Sequence, residues 1–517
     1  MEKLMGKRIR WMQSIFAGAA AFLFLAGSNA GADEKEIPDF KEMTAQEMVQ
    51  DMGAGWNLGN TLDGHNDLTP GETAWQGVVT TPELIKSVHD MGFQTLRVPV
   101  TWGTMIDDEN DYAIDKEWMK RVKEIVGYGI KEGMYVIINI HHDGADSAWW
   151  LNAAAEDLEP VCRKFSGVWK NIAAEFKDYD EHLIFESMNE VNGGEEEINK
   201  LNQAFVDTVR ATGSNNAKRW LSIPGSGANI GTAYEGFPFP KDTIENRLFF
   251  AVHYYDGAMG LTETTDITEW KKTDSKNLKI QLQSLERVFT KKGIPVILGE
   301  YGCIDKENTA DRAYFNEVTA RLCRNMGVVP VYWDNGYHDE AKKPDYGFSL
   351  INRETGEAWY PEIVHAIMRG AYLDGTYQEV VKNPTVVEAE SITLSKEKLT
   401  MEAGAQEEVS AAALPKNSND VVLWKSQDES VATVFSGKIC AVGDGKTEII
   451  AFSQSGSVQS SVVVQVGEEK QVDGGEKEDG IKTANARKPL QYALLVIGIG
   501  AVFMAGAGIM KNRRETD

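Results

Sequence analysis

Cysteine is scarce in this chain. Its 517 residues contain only four, Cys162, Cys303, Cys323 and Cys440, without the close paired spacing of a zinc knot or a disulfide-dense scaffold. They are expected to be buried thiols. Positive charge is also in short supply: 53 Lys and Arg stand against 78 Asp and Glu, a formal charge of -25. That balance repels polyphosphates and excludes a broad basic face for nucleic acid. Long uncharged apolar runs occur only near the two ends. What the chain does have is bulk and aromatic rings. A hydrophobic fraction of 42% with 13 Trp, 16 Tyr and 19 Phe excludes global disorder. The rings also suit surfaces that stack on sugars, and the length calls for two or more folded units.

Both ends carry membrane-addressing patterns. Lys3, Lys7, Arg8 and Arg10 precede an uncharged apolar stretch over residues 15–26 and the small residues SNAGA. This is the layout of a secretory signal, too short to span a bilayer, so residues 1–32 are expected to be removed. At the other end residues 492–510 hold no charge and are followed by Lys511, Arg513 and Arg514. As a helix that run reaches about 28 Å, which matches a transmembrane segment with a cytoplasmic tail. A buried core helix is one competing reading. A sorting tail exchanged for a wall linkage is another, although no LPxTG sequence precedes the run. The bulk of the chain is expected outside the cell, secreted and anchored by residues 491–517 to the bacterial membrane or wall.

Between the ends, short apolar runs alternate with segments of helical period, as in repeated βα units. Eight strand candidates follow one another: AGWNLGN, QTLRVPVTW, YVIINIHH, HLIFESMNE, RWLSIPGSG, LFFAVHYYD, PVILGEYG and VVPVYWDNG. Helical stretches fall between most of them, the first with Thr81 placed as N-cap and Pro82 at N1. The spacing predicts an α/β fold, a (β/α)8 TIM barrel over residues 33–375. Past about residue 383 the pattern becomes alternating strand-like runs, which predicts a smaller all-β sandwich over 384–467. Residues 468–490, polar and glycine-bearing, are expected to be a flexible acidic linker.

In a barrel of this kind functional residues sit where strands end. The strand ends here supply Arg97 and Trp102, His141 and His142, Asn189 and Glu190, His253 and Tyr255, Glu300 and Trp333. A core strand has no packing reason to end repeatedly in ionisable groups, because each buried charge needs compensation. Convergence on one cleft accounts for them. Two carboxyls on the fourth and seventh strands suit glycoside hydrolysis with retention, which places an acid and a nucleophile about 5 to 5.5 Å apart. Glu190 is the expected acid/base and Glu300 the nucleophile, with the charge of Glu300 expected to raise the pKa of Glu190. Arg97 and Tyr255 are placed to hold Glu300, and His253 to orient Glu190. Asn189 suits a sugar 2-hydroxyl, and Trp333 offers a face to a pyranose ring.

The motifs RVPVTW, HH, FESMNE, HYY, GEYG and the late Trp, in this order over residues 40–372, resemble glycoside hydrolase family 5, the retaining cellulase-like hydrolases of TIM-barrel fold. The resemblance implies functional roles for Arg97, His141, Asn189, Glu190, His253, Tyr255, Glu300 and Trp333. The opening GWNLGNTLD with ETAW and VTTPELI resembles subfamily 4, which contains endo-β-1,4-glucanases, xyloglucanases and lichenases. Two departures stand out: Val191 where the family usually has Pro, and ETAWQGVV in place of the commoner WGNP. The segment WKSQDESVATVFSGKICAVGDGKTEIIA resembles the bacterial Ig-like group 2 domains, which implies a spacer or weak adhesion role.

The expected activity is therefore retaining endo-β-1,4-glucanase (cellulase) action on plant cell-wall β-glucan, without cofactor. Xyloglucanase, lichenase or β-mannanase activity on the same barrel are alternatives, as is a non-catalytic glycan-binding adhesin. A metal at His141, His142 and Asp143 is disfavoured, because neighbours on a strand point to opposite faces. His142, Trp56 and Asn60 are further candidates for substrate contact, with core packing weighed equally for Trp56. Trp149 and Trp150 are either a stacking platform or part of the barrel rim. Cys303 has no adjacent His to activate it, so a nucleophilic role is not expected of it.

Overall fold

The computed structural model describes residues 40–144, 149–257, 259–260 and 266–467. The expected signal segment, linker and membrane anchor lie outside the described residues, and among those described no helix is long and apolar enough to cross a membrane.

Eight strands, β1 (Gly55–Asn57), β2 (Thr95–Val98), β3 (Tyr135–Asn139), β4 (Leu183–Glu186), β5 (Leu221–Asn229), β6 (Leu248–Tyr255), β7 (Val296–Gly302) and β8 (Val328–Tyr332), close in chain order into one parallel barrel. Seven lie within the apolar runs picked out from sequence, and β5 continues two residues past the end of its run, to Asn229. A short helix α1 (Ala45–Met52) leads in, and seven more form the outer layer: α2 (Pro82–Asp90), α3 (Lys116–Lys131), α4 (Glu159–Glu175), α5 (Glu195–Ala211), α6 (Lys272–Val288), α7 (Thr309–Met326) and α8 (Pro361–Tyr372). Between β5 and β6 a single 3-10 turn stands where an α-helix would repeat the pattern. Caps follow the local chemistry. Thr81 accepts the Leu84 N–H ahead of α2, and α7 stops at Gly327 in the left-handed region, where a Cβ is unfavourable.

The inside of the barrel changes character from bottom to top. Side chains alternate along a strand, so Tyr135, Ile137 and Asn139 of β3 share the interior face, as do Ile184 and Glu186 of β4. The lower interior is apolar: Ile137, Ile184, Phe249, Ile297, Val329 and Val331 pack with Met43, Met48 and Met52 of the lead-in segment. One layer higher the same faces carry Asn57, Arg97, Asn139 and Glu186, all buried. A methionine plug closes the bottom, and a polar layer sits beneath the upper mouth.

The second unit is a small sandwich. A four-stranded sheet holds Lys398–Met401, Gln459–Val466, Gly445–Ser453 and Val422–Ser426, and a three-stranded sheet holds Gln406–Glu408, Lys438–Ala441 and Ala432–Phe435. Trp424, Ile439, Ile449, Val462 and Val464 fill the space between them. The unit is docked on the barrel: Val421 and Leu423 join the buried cluster of the barrel helices, and a Cβ on Gly92 would lie 2.9 Å from Leu423. Removing that apolar surface from water favours a fixed arrangement.

The same contact carries Glu429 against the turn at Gly133, where an added Cβ would approach its carboxylate to 3.2 Å. Burial there, reinforced by Glu132 and Asp90 and opposed by His182 and Lys86, pushes the Glu429 carboxyl up to about 7. The folded chain then holds a proton that the unfolded chain has released. Stability accordingly falls as pH rises from about 4.5 through 7 and is flat above, a loss on the order of 3 kcal/mol. Glu429→Gln should raise the thermal midpoint at pH 8 and leave it unchanged at pH 4. Melting curves across that range check this, and an equal shift at both ends would rule out titration at Glu429.

Candidate active site

Strand register places the two carboxyls that sequence singled out. On β7 the alternation sends Ile297 inward and Leu298 outward. Continued strictly, it would turn Glu300 outward too. Pairing with β6 slips at this point: Val252 lies opposite Leu298, but His253 lies opposite Glu300, and Gly299 is left out as a bulge. Bulges re-aim side chains, and this one turns Glu300 into the mouth. Gly299 also leaves room for His253, whose Nε2 would stand 3.2 Å from a Cβ at that position. Glu190 lies four residues beyond the end of β4, in a segment tied down by Ser187 N–H to Ser222 O and Asn189 N–H to Ile140 O, both 2.9 Å. Val191, the departure from the usual Pro, is buried and fills the space above Gly144.

The two glutamates meet around His253. One carboxylate oxygen of each and a ring nitrogen of His253 all lie within 4.8 Å of one another. Their surroundings differ. Glu300 is buried and receives Arg97 Nη1–H at 2.8 Å and the Tyr255 hydroxyl at 2.9 Å. Burial and the charge of Glu300 hold the Tyr255 phenol well above its ordinary value, so it stays a donor. Glu190 has a side chain 46% exposed and lies 2.6 Å from His253 Nδ1. Burial pushes the Glu190 carboxyl up, but the hydrogen bond and charge of His253 outweigh it and hold it below the ordinary range. Burial lowers His253, whereas Glu300 and Glu190 together raise it further. The free site therefore keeps the shared proton on His253. This reverses the expectation that Glu300 raises Glu190, because the imidazole stands between the two acids.

The tautomer of His141 follows from its neighbours. Asn139 Oδ1 accepts the Val100 N–H at 3.1 Å, so its Nδ2 is the amide nitrogen and donates both to Glu186 and to His141 Nδ1, at 2.8 and 3.1 Å. The ring proton is thus on Nε2, 3.9 Å from Glu300 Oε1. Burial, with His142 and Arg97 adding to it, keeps this imidazole well below its usual range and neutral. Trp333 lies parallel to His141, interplanar angle 1° and centroids 5.9 Å apart. Gly59 makes that seat possible, since a Cβ there would press to 2.9 Å on the Trp333 ring. Asn189 Oδ1 accepts from Arg97 at 2.9 Å, which leaves its amide nitrogen to donate.

Three expectations need correction or refinement. Trp56 is fully buried, donates to Asp334 at 3.0 Å and lies under the Arg353 guanidinium, so it is core and not a sugar contact. Asn60 is half-buried at a left-handed turn beside Asp63, on the rim. The two histidines do not face apart: β3 ends at Asn139, and the His141 and His142 rings meet edge-on at 4.5 Å. Strand alternation does not govern residues past the strand. With Asp63 they form a group whose ligand atoms fall within 4.8 Å, but His141 Nδ1 is engaged by Asn139 and both Asp63 oxygens accept main-chain N–H groups. Asp143 is a clamp, accepting from Trp102 N, Gly103 N and Trp150 Nε1. Trp149 packs edge-on to His65 and Trp150 is held by Asp143, so both belong to the rim. Sequence reasoning passed over Trp75, which is 42% exposed and 5.1 Å from His142. It also passed over Glu186, two residues along β4 from the core residue Ile184.

An eight-stranded barrel with two unlike carboxyls at its mouth defines a glycosidase of the TIM-barrel class. Residues 59–339 match the cellulase (glycosyl hydrolase family 5) model and residues 388–464 match the bacterial Ig-like domain (group 2). This chain belongs to glycosyl hydrolase family 5 and is an O-glycoside hydrolase. It is 35% identical to Endoglucanase A of Paenibacillus barcinonensis over 393 residues, 68% of this chain and 97% of that protein. Among solved structures, a family 5 xyloglucanase from Paenibacillus pabuli is 37% identical with a TM-score of 0.60, covering 63% of this chain and 99% of its own. A GH5-4 broad specificity endoglucanase from Ruminococcus champanellensis with bound cellotriose is 36% identical, TM-score 0.59, covering 64% and 100%.

Proposed function

We propose that this hydrolase is a retaining endo-β-1,4-glucanase of the cell surface, in which Glu300 is the nucleophile and Glu190 the acid/base. The observation that carries the reading is the separation of the two carboxyls, with ligand atoms within 4.8 Å, the spacing of direct attack and not of an intervening water. Glu300 attacks the anomeric carbon while the hydrogen bonds from Arg97 and Tyr255 hold it aimed. A sugar over the exposed side of Glu190 removes its water, which favours the neutral carboxyl and draws the proton across from His253. Glu190 gives that proton to the leaving oxygen. It then takes one from the water that cleaves the ester. The Asn189 amide donates to the sugar 2-hydroxyl, His141 presents Nε2–H to the same ring, and Trp333 supplies the stacking face.

Endo-acting cleavage of β-1,4-glucan is the substrate reading favoured by the relatives named endoglucanase and the neighbour holding cellotriose. Xyloglucan is the next candidate, because one neighbour is a xyloglucanase. For the whole chain we propose signal residues 1–32, barrel 33–375, sandwich 384–467, linker 468–490 and anchor 491–517, with the enzyme displayed outside the membrane.

A panel of carboxymethylcellulose, xyloglucan, lichenan and mannan, with viscosity and product analysis, tests the substrate. Carboxymethylcellulose viscosity should fall well before reducing sugar accumulates. Proton NMR of the first product should show the β-anomer ahead of mutarotation. The α-anomer first would overturn double displacement, and no cleavage of any of the four would favour the adhesin.

A further inference from the structure

We propose that Glu186 is a positioning residue of this reaction: a third, buried carboxylate that neutralises Arg97, so that Arg97 can aim Glu300 without cancelling its charge.

Glu186 is 1% exposed and Arg97 0%. Arg97 gives it Nη2–H at 2.6 Å and Nε–H at 3.2 Å, and Asn139 Nδ2 donates at 2.8 Å. Among the described residues these are its hydrogen-bond donors, so it acts on the cleft only through them. Arg97 passes its position on in three directions: to Asn57 Oδ1 at 2.9 Å, to Glu300 Oε1 at 2.8 Å and to Asn189 Oδ1 at 2.9 Å. Asn139 passes it to His141 Nδ1. One carboxylate therefore anchors the donors that reach the nucleophile, the 2-hydroxyl contact and the neutral imidazole.

The charge count says why that anchor is an acid. With Glu186 the trio Glu186, Arg97 and Glu300 carries one net negative charge, and it resides at the nucleophile. When Glu300 becomes an ester its charge is lost, and Arg97 is still paired with Glu186. Without Glu186 the nucleophile would be one half of a neutral ion pair before attack. After attack Arg97 would be a buried cation without a partner, an arrangement that costs far more than a paired one. The extra acid thus leaves the ground state with a net negative charge at the nucleophile and keeps the glycosyl-enzyme free of uncompensated positive charge.

The test uses Glu186→Gln and Glu186→Asp in the full chain, with circular dichroism and melting as folding controls. The groups facing Glu300 that set the pH profile are Arg97, His141, His253, Tyr255 and Glu190. In the Gln variant the unmatched guanidinium favours negative charge beside it. The acid limb of kcat/KM on an aryl β-cellobioside should move down by about one pH unit, and kcat should fall about 100-fold with KM changed less than about threefold. The Asp variant keeps the charge but shortens the reach, so its kcat falls while the acid limb stays in place. A folded Gln variant with wild-type kcat and limb overturns the proposal. So does an Asp variant whose limb moves, and that arm stands even where the Gln variant does not fold. The inference rests on Glu300 as nucleophile. Azide rescue at position 300 tests that assignment separately, so each failure is recognisable.

Discussion

Glu300→Ala should lower kcat on polysaccharide by about 10⁵-fold, and sodium azide should restore turnover of an activated aryl β-cellobioside with an α-glycosyl azide as product. The reasoning starts from the site. Two donors converge on Glu300, from Arg97 and Tyr255, and no other described carboxylate shares that pair. Once the side chain is truncated, nothing remains at that position to form the ester, and the double displacement has no first step. The gap left by the carboxylate admits a small anion on the same face of the sugar, so attack inverts the anomeric carbon. Product NMR reads the configuration. A β-glycosyl azide, or more than about one-hundredth of wild-type kcat on polysaccharide, would move the nucleophile elsewhere.

Glu190→Ala should lose about 10⁴-fold in kcat on polysaccharide but far less on a substrate whose leaving group needs no proton. The difference follows from the division of labour between the acids. An aryl glycoside with an acidic phenol still reacts with Glu300, so glycosylation persists. Hydrolysis of the ester lacks its base, so the glycosyl-enzyme accumulates and apparent KM falls. Azide, which needs no base, should raise kcat and give a β-glycosyl azide. Burst kinetics and the product anomer check this. Equal losses on good and poor leaving groups would refute the acid role. The paired outcomes, α-azide at one position and β-azide at the other, separate nucleophile from acid/base without reference to any relative.

The expected proton placement also bears on pH dependence. His253 holds the shared proton in the free site because burial, which lowers it, is outweighed by Glu300 and Glu190. That ordering was not legible in sequence. His253 and Glu190 are 63 residues apart, and only the approach of Nδ1 to 2.6 Å makes one proton common to both.

Much of the rest was legible. Eight apolar runs at regular spacing specify a parallel barrel, because each must bury both faces and can do so only under a layer of helices. Glu190, Glu300, Arg97 and His253 stood out because ionisable residues at the ends of such runs need a reason to be there. Glu186 did not stand out. In FESMNE it is one acid of two, and its value depends on register beside Asn139 and on reaching Arg97, 89 residues earlier in the chain. Trp56 misled for the opposite reason: an aromatic beside polar residues reads the same whether it faces a ligand or, as here, lies beneath Arg353.

Composition and periodicity by themselves determined the class of fold, the division into an α/β and an all-β unit, and the residue types available for acid and nucleophile. These are local properties, set by side-chain chemistry and by the two- and 3.6-residue repeats. The tertiary structure alone decided which way Glu300 points, through a one-residue slip at Gly299 against β6. It alone decided that His253 holds the proton, that Glu186 backs Arg97, and that the sandwich is docked on the barrel through Val421 and Leu423. Each of these depends on distances between residues far apart along the chain. Coulomb interaction and close packing act through such distances, and a linear order of residues does not contain them.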